Sequence, residues 1–168
     1  WAQSKRYPPE PVDKDKEKAG QSKLWDAATN PQRTPYGKLM FEAEQSLGER
    51  TTDGAQEAVK RLDEAIKLLP EEPKAYRIRG DANMALKDWA RCSVDYHGAW
   101  TRVSRDNLTP PQIADLRRKL GLCQARSGKL ADAERTLAEA AVTGSASGEI
   151  WMRLGEVRIA MGKLEEAI

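Results

Sequence analysis

The most reactive side chains in this sequence belong to two cysteines and one histidine. Cys92 and Cys123 are too few for a disulfide framework, and their spacing matches no metal site. Two states are open for them: one disulfide, or two small buried thiols that pack as hydrophobic side chains. His97 lies five residues after Cys92, so on a helix the two occupy different faces, and no serine or aspartate is placed to activate it. We therefore interpret His97 as structural.

Known catalytic and phosphate-binding motifs are missing from the sequence. It contains no glycine-rich phosphate loop, no G-x-S-x-G and no H-E-x-x-H. The carboxylates occur in segments such as "LPEEP" and "LEEA", where acidic residues cap helices or face solvent. The sequence therefore predicts a non-enzymatic protein without a cofactor or a metal site.

The composition narrows the class of protein and of partner. With 39% hydrophobic and 32% charged residues, the 168-residue chain is long enough for a domain with its own core. Alanine, leucine, glutamate, lysine and arginine dominate, which favours helices. The 28 basic and 26 acidic residues leave a net charge of +2, so nucleic acid is not the expected partner. No apolar run approaches the roughly 18 residues of a membrane span.

From Thr34 onward the apolar residues follow the spacing of amphipathic helices. Thr34 precedes a proline, which suits a helix start, and the apolar stripe that follows ends at Gly48. Asp53 and Gln56 are predicted to form a capping box for the next helix. Pro70 ends that helix, because proline cannot continue it. The pattern predicts an antiparallel series of helix pairs.

Small residues recur at a fixed interval along this helical region. Three pairs are 34 positions apart: Gly121 and Gly155, Ala58 and Cys92, and Ala133 and Ala167. Gly80 and Gly121 are 41 apart, which is 34 plus about two helical turns, and the extra residues fall in "TRVSRDNLTPP". Thr109 and Gln112 at the end of that insertion repeat the helix-start signal. A helix–turn–helix period of this length is typical of one class of solenoid.

The chain resembles tetratricopeptide repeat proteins over residues 34–168. The motif residues of three copies are Tyr76, Gly80, Cys92, Tyr96 and Ala99, then Leu120, Gly121, Ala133, Leu137 and Ala140, then Trp151, Leu154, Gly155 and Ala167. Departures from the pattern are Arg79, Asn83, Arg117, Gln124 and Arg158. The resemblance implies a right-handed α-solenoid of about three and a half repeats that binds protein.

The resemblance also implies where a partner binds. The first helix of each pair lines the concave groove of such solenoids, which predicts a partner-binding set of Arg77, Asp81, Arg118, Lys119, Leu122, Met152, Arg153 and Glu156. Arginines beside apolar residues suit a peptide with acidic and apolar side chains, although the same residues also fit a solvated face. Some family members clamp a C-terminal carboxylate with lysine, asparagine and arginine. Asp81, Leu122 and Glu149 depart from that set, so we do not expect this ligand.

Residues 1–33 form a proline-rich arm of alternating charge that has too little apolar surface to fold alone. Trp1, Tyr7 and Trp25 are its expected anchors on the solenoid or on a partner subunit. "WAQS" resembles the small-residue end of a secretory signal, which slightly favours a periplasmic or exported protein over a cytoplasmic one. An array ending at Ile168 leaves an apolar edge uncovered, so we expect the natural chain to continue.

Three functions fit these features. The first is an adaptor, scaffold or assembly factor that binds through its groove and arm. The second is a permanent structural subunit of a larger hetero-complex, envelope-associated if the protein is exported. The third is a regulatory domain of a longer enzyme.

Overall fold

The described part of the computed structural model, residues 33–142 and 147–163, is entirely helical, as predicted. Its seven α-helices are α1 (Arg33–Gly48), α2 (Thr52–Leu68), α3 (Pro73–Ala85), α4 (Trp89–Trp100), α5 (Pro110–Arg126), α6 (Leu130–Ala141) and α7 (Gly148–Ala160). A short 3-10 helix, Val103–Arg105, lies in the predicted insertion between α4 and α5. The arm residues Trp1, Tyr7 and Trp25, as well as Ala167, lie outside the described residues.

The helices pack in chain order. Each one contacts the helix before it and the helix after it, and α1 also contacts α3 as α5 contacts α7. The first helices of successive pairs therefore lie beside one another. Residues of α1, α3 and α5 share one surface, while residues of α4 and α6 lie on the other side.

Two helix starts test the predicted capping boxes, with different outcomes. At α5 the prediction is confirmed, since the backbone N–H of Thr109 donates to Gln112 Oε1 at 2.8 Å. At α2 it is wrong, because the N-cap is Thr51, whose hydroxyl accepts from the N–H of Gly54 at 2.9 Å. Asp53 already lies inside the first turn of α2, where its charge complements the helix dipole.

The turn between the two helices of a pair is built in the same way three times. A backbone N–H donates to the carbonyl five residues earlier, which closes the helix end. The three bonds are Asp88 to Asn83 at 2.9 Å, Lys129 to Gln124 at 2.8 Å and Lys163 to Arg158 at 2.8 Å. The residue before each donor has a positive φ, and it is glycine at Gly128 and Gly162 but lysine at Lys87. The same hydrogen-bonded turn thus recurs in three successive repeats.

The small and large motif residues form the core, as the sequence predicts. Ala58, Cys92 and Ala133 are fully buried and allow neighbouring helices to approach closely. Leu62, Tyr96 and Leu137 are also fully buried and fill the space between the pairs. Each pair therefore gains its stability mainly by packing against the next one.

A buried polar network occupies two of the positions where the sequence departs from the repeat pattern. Arg79 donates to Asp95 Oδ1 from Nε and Nη2, at 3.0 and 2.6 Å, and from Nη1 to Asp63 Oδ1 at 2.6 Å. Asn83 donates to Asp95 Oδ2 at 2.7 Å. Asp95 is almost completely buried, so both of its oxygens depend on these donors. Arg79 and Asn83, the two residues that depart from the repeat pattern here, therefore both donate hydrogen bonds to Asp95.

The two cysteines form a disulfide that joins α4 to α5. Their Cα atoms are 5.8 Å apart, within the usual range, and both residues are fully buried. The bond links the second helix of one pair to the first helix of the next. It thus crosses the place where the inserted residues interrupt the regular period.

Gly121 on α5 offers a test of the close packing between the helices of a pair. A Cβ at this position would lie 2.6 Å from Leu137 Cγ and 2.8 Å from its Cδ2. We expect Gly121→Ala to lower the free energy of unfolding by about 1–3 kcal/mol because a buried side chain or a helix must shift. Urea denaturation followed by circular dichroism measures the change.

The matched control is Gly37→Ala on α1, where an added Cβ meets nothing within 4 Å. There we expect a gain of about 0.5–1 kcal/mol from the lower backbone freedom of alanine. Equal effects of the two substitutions would contradict the packing argument.

Candidate functional site

A hollow of about 350 Å³ lies between the first helices α1, α3 and α5. Among the predicted residues, Arg77, Asp81 and Lys119 line it. Glu44 and Lys74, which the sequence analysis did not single out, also line it and pair with each other at 2.9 Å. The predicted concave face therefore contains a real depression with charged walls.

A second, smaller hollow of about 160 Å³ continues toward the end of the solenoid, between α5, α6 and α7. It contains the predicted residues Leu122, Arg153 and Glu156. Leu130, Leu137, Val157 and three further residues complete its largely apolar wall. Of the eight predicted residues, six thus line one of these two hollows. We call the surface formed by the two hollows and the charged residues between them the concave groove.

Ion pairs connect α3 to α5 at the first hollow. Lys119 Nζ lies 2.7 Å from Asp81 Oδ1 and 3.4 Å from Asp115 Oδ2. The buried Tyr96 donates its hydroxyl to the same Asp81 oxygen at 2.6 Å. Asp81 therefore accepts hydrogen bonds from both Tyr96 and Lys119.

The same series of ion pairs continues from α5 to α7. Arg118 donates to Asp115 Oδ1 at 2.7 Å and to Glu149 Oε1 at 2.9 Å. Arg153 donates to Glu156 Oε2 at 2.9 Å and lies 3.9 Å from Glu149. Acidic and basic groups thus alternate along the groove in the order Asp81, Lys119, Asp115, Arg118, Glu149, Arg153, Glu156. We call this series the charge ladder.

The two predicted residues that line neither hollow are Arg118, which belongs to the ladder, and Met152, while Arg77 lies outside the ladder. Arg77 lines the first hollow but pairs outside the ladder, with Asp106 at 3.4 Å. Met152 is half exposed on α7 and lines neither hollow.

Two residues of the charge ladder are missing from the predicted partner-binding set. The predicted set does not contain Asp115, and the sequence indicates for Glu149 only that it does not suit a carboxylate clamp. Spacing alone offered a signal for both, since Asp115 lies three and four residues before Arg118 and Lys119, and Glu149 lies four before Arg153. These spacings are common on solvated helices, so they did not indicate a site.

Burial and the charge ladder shift the pKa values of Asp115 and Tyr96. Partial burial raises the pKa of Asp115, but the hydrogen bond from Arg118 and the charge of Lys119 outweigh it and lower that pKa below its usual value. Burial and the charge of Asp81 raise the pKa of Tyr96 far above its usual value. Asp115 is therefore ionised and Tyr96 remains a hydrogen-bond donor at neutral pH.

Larger hollows of about 380 and 520 Å³ lie on the other side of the helices. The second of them is bounded by Arg79, Asn83 and Asp95, whose polar groups already bond to one another. The concave groove has more charged groups from different helices in mutual contact, and for that reason we take it as the candidate site.

The described residues contain no group of three or more histidine, cysteine, aspartate or glutamate side chains that could hold a metal ion. None of the described helices has the length and apolar character needed to cross a membrane.

The family model of the tetratricopeptide repeat matches residues 51–91 and 97–150, more than half of the chain. The chain belongs to the tetratricopeptide repeat family. As a member, it is a protein–protein interaction module. Tetratricopeptide repeat domains are in general non-catalytic.

Solved structures show the same fold at low sequence identity. The first tetratricopeptide repeat domain of Spaghetti (RPAP3), bound to the HSP90 peptide SRMEEVD, is 15% identical with a TM-score of 0.63, covering 77% of this chain and 94% of that one. The N-terminal domain of stress-induced protein-1 from C. elegans is 15% identical with a TM-score of 0.64, covering 77% and 98%. MamA from Desulfovibrio magneticus RS-1 is 18% identical with a TM-score of 0.62, covering 86% and 75%.

These neighbours confirm the predicted α-solenoid of tetratricopeptide repeats. No curated protein matches the sequence.

Proposed function

We propose that this tetratricopeptide repeat protein is a non-enzymatic adaptor or assembly factor that holds a segment of a partner protein in its concave groove. The observation that carries the proposal is the continuity of the groove, since two hollows and the charge ladder run from α3 through α5 to α7. A surface that spans several repeats suits an extended segment better than a compact ligand. The RPAP3 domain with its bound HSP90 peptide supports this mode of binding for the fold.

A free acidic C-terminus of the kind bound by RPAP3 is not the ligand we propose. Asp81 and Glu149 place carboxylates in the groove, where they repel a terminal carboxylate. Lys119 and Arg118, which would attract one, are already paired with these acids. An internal segment of the partner avoids this conflict.

A permanent subunit of a hetero-complex is the second candidate. Helix α7 exposes about half of Trp151, Met152 and Ile159, and large exposed apolar side chains are typical of assembly surfaces. In this role the segment before Arg33 would wrap a neighbouring subunit.

Export fits either candidate. The buried disulfide between Cys92 and Cys123 suits an oxidising compartment, where such bonds form and persist.

Site-specific photo-cross-linking separates the two candidates. A benzophenone amino acid replaces Leu122 in the groove, Ile159 on α7 or, as a control, the exposed Arg135 on α6, and each chain is irradiated in an extract of the source cells. We expect one discrete adduct from Leu122 and none from Arg135. An adduct from Ile159 alone would favour the assembly subunit, and adducts of the same size from all three positions would contradict both candidates.

A further inference from the structure

The acidic and basic side chains of the charge ladder differ in how far they are exposed to solvent and to a ligand. In the ladder, the side chains of Arg118, Lys119 and Arg153 are only 19%, 23% and 26% exposed. The carboxylate side chains are more exposed: 31% for Asp81, 44% for Glu149, 47% for Asp115 and 55% for Glu156. The basic groups therefore lie beneath the acidic ones.

The hydrogen bonds of the basic groups show the same asymmetry. Arg118 donates from Nε and Nη2 to Asp115 and from Nη1 to Glu149, so all three of its nitrogens are engaged. Lys119 lies between Asp81 and Asp115. Arg153 donates from Nη1 to Glu156, its Nη2 lies 3.9 Å from Glu149, and its Nε is buried. Each of the three basic groups thus already donates to at least one ladder carboxylate.

The acidic groups retain acceptor capacity. Asp81 receives both of its hydrogen bonds at Oδ1, Glu149 receives its bond at Oε1 and Glu156 at Oε2. Within the described part of the chain, no hydrogen bond reaches the second oxygen of any of the three. The ladder also has four carboxylates against three basic groups. The ladder thus offers free acceptor oxygens and one more carboxylate than basic groups.

We propose that the groove selects a basic segment, an extended stretch of a partner protein in which lysine or arginine side chains reach the free oxygens of Asp81, Glu149 and Glu156. This inference rests on the proposed groove function and reverses the acidic partner that the residue types alone favoured. The less exposed arginines and lysine then serve to hold the carboxylates in place, because each of them donates to at least one of the ladder carboxylates. Donor-rich side chains complement these carboxylates without breaking the ladder.

Binding of labelled peptide pools to the full 168-residue chain tests the proposal. The basic pool consists of nine-residue peptides with lysine or arginine at alternate positions and glycine, serine or leucine between them. The acidic pool has aspartate or glutamate at the same positions. By fluorescence anisotropy we expect a dissociation constant at least tenfold lower for the basic pool, with weaker binding as salt is raised.

Matched variants localise the effect. Glu149→Gln with Glu156→Gln removes two groove charges but keeps side-chain shape, and we expect at least a tenfold loss of affinity for the basic pool. Asp132→Asn with Glu139→Gln removes two charges from α6 and should leave affinity within twofold. Equal losses in the two variants would mean that the peptides respond to overall charge, which would overturn the proposal.

The remaining outcomes separate this inference from the proposed function. Tighter binding of the acidic pool, lost in Arg118→Gln with Arg153→Gln, would overturn the basic-segment inference and leave the groove function standing. Binding of neither pool, together with no adduct from Leu122, would overturn both. A peptide of residues 1–32 serves as a third probe. If it displaces the labelled basic pool at a lower concentration than the unlabelled basic pool does, the groove binds this chain's own N-terminal segment. That result would overturn the proposal.

Discussion

Replacing Asp95 with alanine is expected to lower the free energy of unfolding by about 3–5 kcal/mol. Asp95 is almost completely buried and accepts two hydrogen bonds from Arg79 and one from Asn83. Without the carboxylate, Arg79 remains largely buried with only Asp63 as partner, and the amide of Asn83 loses its acceptor. Urea denaturation of the two chains at neutral pH measures the difference.

Asp63→Ala is the matched control, because Asp63 also binds Arg79 but its side chain is 48% exposed. Water replaces an exposed partner, so we expect a loss of only about 0–1 kcal/mol. The double variant Arg79→Leu with Asp95→Ala should recover part of the stability, since removing both charges leaves no uncompensated ion. Equal losses for Asp63→Ala and Asp95→Ala would show that burial does not govern this network.

Loss of the disulfide is the second large effect that we expect. Cys92 and Cys123 are 31 residues apart, and closing a loop of that length in the unfolded chain contributes about 3–4 kcal/mol to stability in the chain-entropy model. The double variant Cys92→Ala with Cys123→Ala should therefore unfold at a clearly lower urea concentration than the oxidised chain. Both sulfurs are buried in the core cluster around Tyr96, Leu116 and Leu120, so the two alanines also leave small cavities there.

Reductant provides the control for this experiment. Adding dithiothreitol under partly unfolding conditions should destabilise the native chain and leave the double-alanine variant unchanged. Thiol titration of the denatured, unreduced chain should find no free cysteine. Two titratable thiols, with no effect of reductant on stability, would contradict the bond and remove the argument for an oxidising compartment.

The effects of these changes would fall at the junctions between repeats. The Asp95 network connects α2, α3 and α4 through Asp63, Arg79 and Asp95, and the disulfide connects α4 to α5. In a solenoid each repeat is stabilised mainly by its neighbours, so weakening a junction uncouples the parts on either side. The groove crosses the second junction, because Asp81 and Lys119 belong to different repeats. Loss of the disulfide should therefore also loosen the geometry of the groove.

The repeat architecture was predictable because its causes are local. Helical periodicity, the prolines and the small residues 34 positions apart act within one or two helices, and the helices, the turns and the buried Ala58, Cys92 and Ala133 follow from them. The wrong capping box at Asp53 is a local error of a few residues, since Thr51 offers a competing cap just before it. The predicted groove residues came instead from the resemblance to tetratricopeptide repeat proteins, and six of the eight line one of the two hollows.

The sequence by itself determined the class of fold and the repeat length. Only the tertiary structure decided which side chains meet: Cys92 with Cys123, Arg79 with Asp95, and Lys119 with Asp81. These pairs are 31, 16 and 38 residues apart and lie on different helices, so no local pattern relates their members. The charge that the groove presents depends on which member of each ion pair is covered. That is a property of packing between repeats, which residue types along a single helix do not contain.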